Sequence, residues 1–201
     1  MNRILISLTA LMLTPLFADE PRVVLEEKFD IELSKDWFWG LGTWTAKDGV
    51  LRGFESGERR HGPVKMRKFP LQDGILECEF RLEGKATFAG IIFNGSQERG
   101  HIVHVVMGTD TLTIMTHPKA TEKVELLKQP NALAVGAWHR VRIDFKGSQI
   151  TVTVNDKTFT AKQDCIAEQK QVFGLGGDSG GPKGEAAGAL EYRKLKISTR
   201  S

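Results

Sequence analysis

What the chain lacks narrows its class before any motif is considered. Its 201 residues include one tyrosine, two cysteines and seven prolines, and beyond the first 18 no apolar run is long enough to cross a bilayer as a helix. Charge of one sign is not in excess. The 28 Lys plus Arg stand against 25 Asp plus Glu, a formal net charge of +3. Both signs are interspersed, so the basic stripe that a nucleic-acid partner requires is missing. Two cysteines are too few for a structural zinc site, which takes four N or S ligands. The five histidines, at 61, 101, 104, 117 and 139, form no metal pattern with a neighbouring acid. No metal, cofactor, nucleic acid or membrane partner is therefore expected. Cys78 and Cys165 leave one disulfide open: an oxidising compartment permits the pair, whereas Cys78 falls on the apolar side of a strand, where a lone cysteine acts as a small hydrophobe.

The amino terminus reads as an address. Arg3, an apolar stretch over 4–13, Pro15 and a small residue at Ala18 have the order of a secretory signal peptide. Cleavage after Ala18 leaves residues 19–201 as one domain, secreted or periplasmic. Removing Arg3 brings the count to 27 basic against 25 acidic residues, a charge of +2.

Period-two alternation dominates the remainder, punctuated by Gly, Asp-Gly and Asn-Asp, which predicts an all-β chain. Strands are expected over 24–29, 43–47, 50–54, 63–69 and 75–83, then 88–94, 101–107, 111–116, 138–145, 149–154, 157–161 and 190–197. Asp48-Gly49 suits a tight primed hairpin turn. In 75–83, Leu76, Cys78, Phe80 and Leu82 alternate with Glu77, Glu79, Arg81 and Glu83, so one face is core and the other wet. Residues 121–128 and 164–171 are read as short helical turns. A dozen short strands without a fixed repeat predict a two-sheet antiparallel jelly-roll sandwich.

Several motifs carry chemistry on paper. Gly177-Asp178-Ser179-Gly180-Gly181-Pro182 spells the nucleophile signature of chymotrypsin-type proteases, but the early His and buried Asp that such chemistry needs have no counterpart, so it reads as coincidence. Glu77 and Glu79, two apart on a strand, project to one face as a glycosidase pair would. His101 and His104, three apart, are expected on opposite faces, with His104 the candidate base. Trp37, Trp44 and Trp138 are expected inside. Trp39 is kept as a surface platform for a sugar ring.

Leu25-Glu26-Glu27-Lys28-Phe29, Trp44 to Leu51, Leu76 to Leu82, Trp138-His139-Arg140-Val141 and the closing strand over 190–197 occur in an order that resembles the 3-keto-disaccharide hydrolase-like domain. That family is a secreted bacterial concanavalin A-like jelly roll related to the glucanases of glycoside hydrolase family 16. The resemblance implies a carbohydrate partner. In enzymes of this kind a ketone acidifies the adjacent C–H, so that a base removes the proton and the glycosidic oxygen leaves. Glu79 matches a family acid. Asn94 stands where the family has Arg, Ile102 and His104 stand where it has Glu and Gln, and Arg81 replaces the third acid of the glucanase pattern. The expectation is therefore a glycan-binding domain, probed at Glu77, Glu79, Arg81, Asn94, His104 and Trp39. The alternative is a 3-keto-glycoside hydrolase or lyase whose catalytic candidates are Glu79, His104 and Arg81. A structural or protein-interaction module is the third reading.

Overall fold

The computed structural model describes residues 21–56, 61–181 and 186–199, so the expected signal peptide lies outside the described residues. Among the described residues fifteen strands form two sheets. The first sheet contains β1 (Arg22–Glu27), β3 (Thr43–Lys47), β4 (Val50–Phe54), β6 (Gly74–Gly84), β11 (Trp138–Lys146), β12 (Gln149–Val154), β13 (Lys157–Lys162) and β15 (Gly188–Thr199). The second contains β2 (Trp39–Leu41), β5 (Val64–Leu71), β7 (Phe88–Asn94), β8 (His101–Gly108), β9 (Thr111–Thr116), β10 (Val124–Pro130) and β14 (Lys170–Asp178). Strand order is β13-β12-β11-β6-β15-β4-β3 in the first and β10-β9-β8-β7-β14-β5-β2 in the second. The all-β antiparallel sandwich expected from the alternation is the fold observed. Asp48 and Gly49 both take positive φ, 51° and 81°, as a type I′ turn between β3 and β4 demands.

The core lies between the sheets. Leu76, Phe80 and Leu82 of β6 face Ile91 and Phe93 of β7, and all five are essentially inaccessible. Phe93 meets Phe145 of β11 edge to face at 4.8 Å, which ties one sheet to the other. Tyr192 of β15 reaches across with its hydroxyl close to the Gly176 and Gly90 carbonyls, at 2.6 and 3.2 Å. Cys78 and Cys165 are both buried free thiols. Cys78 points into the core, where burial pushes its pKa well up.

Three expectations require correction. Residues 121–128, read as helical, contribute instead to the edge strand β10, which pairs with β9. Three or four apolar positions in a short polar stretch cannot fix a period, and the free edge of β9 decides it. Of 164–171, only Asp164–Ala167 is helical, as one 3₁₀ turn, and Lys170 already opens β14. Trp138 is not inside. It lies half-buried on the outer face of the first sheet between the guanidiniums of Arg81 and Arg193, 4.7 and 3.9 Å from its ring centre.

Candidate functional site

The six singled-out residues do not share a cleft. Glu77, Glu79 and Arg81 lie on the outer face of the first sheet, whereas Trp39, Asn94 and His104 lie on the outer face of the second. Alternation fixes which residues of a strand point out, but it says nothing about which sheet the strand joins. The expected face of Glu77, Glu79, Arg81, Asn94 and His104 is thus split by the whole thickness of the core.

On the first sheet each charge is already answered by its cross-strand neighbours. Glu77 stands between Arg142 and Lys196, Glu79 between Arg140 and Arg193, and Arg81 between Trp138 and Glu191. A register shift in β15 between Arg193 and Lys196 places Lys194 at φ 53°, and both Arg193 Nε and Lys194 Nζ donate to Glu79, at 2.6 and 3.0 Å. Burial works to raise the Glu79 pKa, but the two cations outweigh it and hold the carboxyl below the ordinary carboxylate range. Arg81 is paired with Glu191 and Glu83. This is a charge lattice on a wet sheet face, and a depression of about 610 Å³ lined by Glu77, Glu79, Arg140, Arg193 and Lys194 lies over it with both of these carboxylates already paired.

The second sheet is different. One cross-strand row runs Trp39, Met66, Gly174, Ile92, His104, Met115, with each neighbour directly opposite the next. Trp39 and His104 are four strand spacings apart, roughly 19 Å at about 4.8 Å each. Gly174 has no side chain where a Cβ would sit 2.3 Å from Met66 Sδ, and Met66 lies across it as an apolar floor. A depression of about 660 Å³ takes Trp39, Met66, Ile92 and His104 of this row into its lining, with Phe38 and Trp39 at one end and Asn94, His101 and His104 at the other. Phe38 and Trp39 are about half exposed, at 49% and 46%.

His101 and His104 meet there, contrary to the expectation of opposite faces. A β-bulge lies between the Phe93–Val103 and Asn94–His101 pairs, so Ile102 and Val103 both turn inward and are fully buried. The extra residue shifts the phase of β8 by one, and His101 returns to the outer face. Its ring lies 4.4 Å from that of His104, and both touch His117, at 5.3 and 5.0 Å. His101 Nδ1 is 2.8 Å from Asn94 Oδ1. The signal was in the sequence: strict alternation through His101-Ile102-Val103-His104 would bury a histidine and expose an isoleucine, which a bulge avoids.

Burial lowers the pKa of all three imidazoles, and neighbouring rings and cations add to it at His104, which falls to about 3, and at His117. They are neutral at physiological pH. Arg99 anchors this corner. Its guanidinium pairs with both carboxylate oxygens of Glu168, at 2.5 and 2.9 Å, and donates to the carbonyls of His101 and His117, at 2.8 and 2.6 Å. Sequence reasoning missed His101, His117 and Arg99, because only the bulge and the packing of the segment after β9 bring them together. The protease-like motif has a structural role instead. Ser179 is fully buried and its hydroxyl accepts the Glu55 N–H at 2.9 Å, while Asp178 accepts from Thr87 and the Gly180 N–H. Pro182 lies outside the described residues.

Solved structures share this architecture at low identity. A carbohydrate-binding module, CBM66, from Bacillus subtilis superimposes with a TM-score of 0.60 at 12% identity, over 79% of this chain and 92% of that one. The catalytic domain of LamA from Zobellia galactanivorans gives 0.63 at 11%, over 89% and 98%. The lumenal domain of VIP36, solved with Ca²⁺ and Man3GlcNAc, gives 0.60 at 12%, over 81% and 83%. At these identities they are alike in fold, the concanavalin A-like jelly roll, and fold alone does not carry activity. A search of curated proteins found no match. The model of the 3-keto-alpha-glucoside-1,2-lyase-like domain matches residues 29–198, from Phe29 just after the first strand to the penultimate residue of the last. The chain therefore belongs to the 3-keto-alpha-glucoside-1,2-lyase-like (3-keto-disaccharide hydrolase-like) domain family.

Proposed function

We propose that this is an exported glycan-binding protein whose site is the trough on the outer face of the second sheet. The observation that carries the reading is the arrangement of the trough itself. Two exposed aromatic rings, Phe38 and Trp39, stand at one end of an apolar floor, and the hydrogen-bonding Asn94 and His101 stand at the other. Sugar rings offer an apolar C–H face and a rim of hydroxyls, and such a surface answers both. Among the described residues no carboxylate lines the trough, so the acid and nucleophile pair of glycoside hydrolysis has no carriers there. The carbohydrate-binding module among the structural neighbours supports the same reading. Export is proposed from Arg3, the apolar stretch over 4–13 and Ala18.

Family membership favours a second reading, eliminative cleavage of a 3-keto-glycoside, with neutral His104 removing the proton beside the ketone. His104 Nε2 has no hydrogen-bond partner and so is uncommitted, although the atom itself is buried. A pKa near 3 makes it a weak base at neutral pH, however, and binding therefore stands first.

A glycan array carrying native and 3-oxidised sugars, with the eluate checked for cleaved product, separates the two. Retention without product is expected. Product from 3-oxidised sugars alone transfers the assignment to the lyase, and silence on both sets removes carbohydrate altogether. Trp39→Ala should weaken retention at least tenfold while leaving the thermal midpoint within a few degrees, since Trp39 is half exposed on an edge strand.

A further inference from the structure

The polar lining of the trough is uneven in a way that selects among glycans. Its hydrogen-bonding side chains include three imidazoles, His61, His101 and His104, and the carboxamides of Asn94, Gln97 and Gln171. A neutral sugar needs strong acceptors for its hydroxyl protons, and among the described residues ionised carboxylates, the strongest, are missing from this lining. At the histidine end the Nε2 atoms of His104 and His117 are both buried and have no hydrogen-bond partner. The two rings lie 5.0 Å apart, centre to centre, and such a cluster is a place for a proton, and for one proton only, because a second would face like charge.

The surroundings decide whether that proton is present. Lys123 bears on His104 and His117 as a positive charge, and so does Arg99 on His117. Glu168 is held by Arg99 through two bonds. Glu122 offers His117 only its backbone, Cys165 lies against the His117 backbone as a thiol, and Asn94 faces His101 with an uncharged amide. The cluster therefore has cations around it and, among the described residues, no free carboxylate against any ring. Among the described residues an imidazolium formed here has no counter-charge. A ligand can bring one.

Building on the glycan reading, we propose that the trough takes an acidic glycan, one bearing a carboxylate or a sulfate, and that its binding draws one proton into the His101, His104 and His117 cluster. The ligand contributes one negative charge and the cluster gains one positive charge, so the buried pair is neutral overall. The proton comes from solvent. Stabilising the charged ring by a bound anion raises its pKa, so affinity must rise as pH falls, by up to about tenfold per pH unit between the bound and free pKa values.

Calorimetric titration of the whole chain tests this with three probes of equal length: a neutral glucan oligosaccharide, an oligogalacturonate and a sulfated galactan oligosaccharide, each at pH 5.5 and 7.5 in two buffers of different ionisation enthalpy. At least one acidic probe should bind at pH 5.5 more than tenfold tighter than the neutral one, take up close to one proton, and weaken at pH 7.5. The two acidic arms tell carboxylate from sulfate. His104→Gln should abolish the proton uptake, and the more exposed His101→Gln, together with imidazole NMR shifts of the unaltered protein, repeats the test should the first variant fold poorly. Preference for the neutral probe, or acidic binding without pH dependence, overturns this proposal and leaves the glycan reading standing. No binding of any probe overturns both.

Discussion

Lys170 is the residue least expected from the sequence and one of the most constrained. It is fully buried, its ammonium donates to the carbonyls of Gln72, at 2.8 Å, and Ile166, and it lies 4.3 Å from the centre of the Phe145 ring. Burial lowers its pKa to about 8, against the attraction of Asp73 and Glu168. The unfolded chain, with an ordinary lysine near 10.4, therefore binds more protons than the folded one between about pH 8 and 10.4. Stability should rise with pH across that window and be lower below it, where the charge must be kept buried. Urea melts at pH 7 and pH 10 check this: Lys170→Met should remove the rise, so its cost is larger at pH 10 than at pH 7. A pH-independent cost would contradict it. The sequence shows only a lysine before an apolar run. Its confinement depends on the 3₁₀ turn and on Phe145 arriving from the other sheet.

Among the elements, β8 and β14 shape the trough, and they were legible to different degrees. The residues of β8 were placed correctly as a strand, yet its bulge inverted the relation between His101 and His104. The glycines of β14 obscured it, since a Gly-rich run resembles a loop until strands β5 and β7 are seen pairing on both sides. Those glycines differ in purpose. At Gly177 φ is 150° and a Cβ would lie 2.2 Å from the Phe88 carbonyl oxygen, whereas at Gly174 the obstacle is the movable end of Met66. Gly177→Ala should lower stability by about 2 kcal/mol or more. Gly174→Ala should cost much less in a thermal melt but lift Met66 into the trough and reduce saccharide retention severalfold. Equal losses of stability in the two variants would refute this division.

At the scale of the whole molecule, the sandwich has two chemically unlike outer faces. One carries the paired lattice of Glu77, Glu79, Arg81, Arg142, Glu191 and Arg193, the other the aromatic and histidine-lined trough. Glu79→Gln should accordingly leave saccharide affinity unchanged and alter stability by no more than about 1 kcal/mol, as partly exposed ion pairs usually do. A tenfold loss of affinity in that variant would move the site to the first sheet. Hydrophobic alternation is a local property, so the sequence by itself determined that the chain forms strands, which side is buried where alternation is unbroken, as in β6, and that two sheets close over one core. Family resemblance was readable from the same local order. Which strands share a sheet is fixed by long-range pairing, and a bulge is fixed by the partner strand it must match. Those two decisions, completed only in the tertiary structure, separated Glu79 from His104 by the thickness of the core and gathered His101, His104 and His117 into one corner.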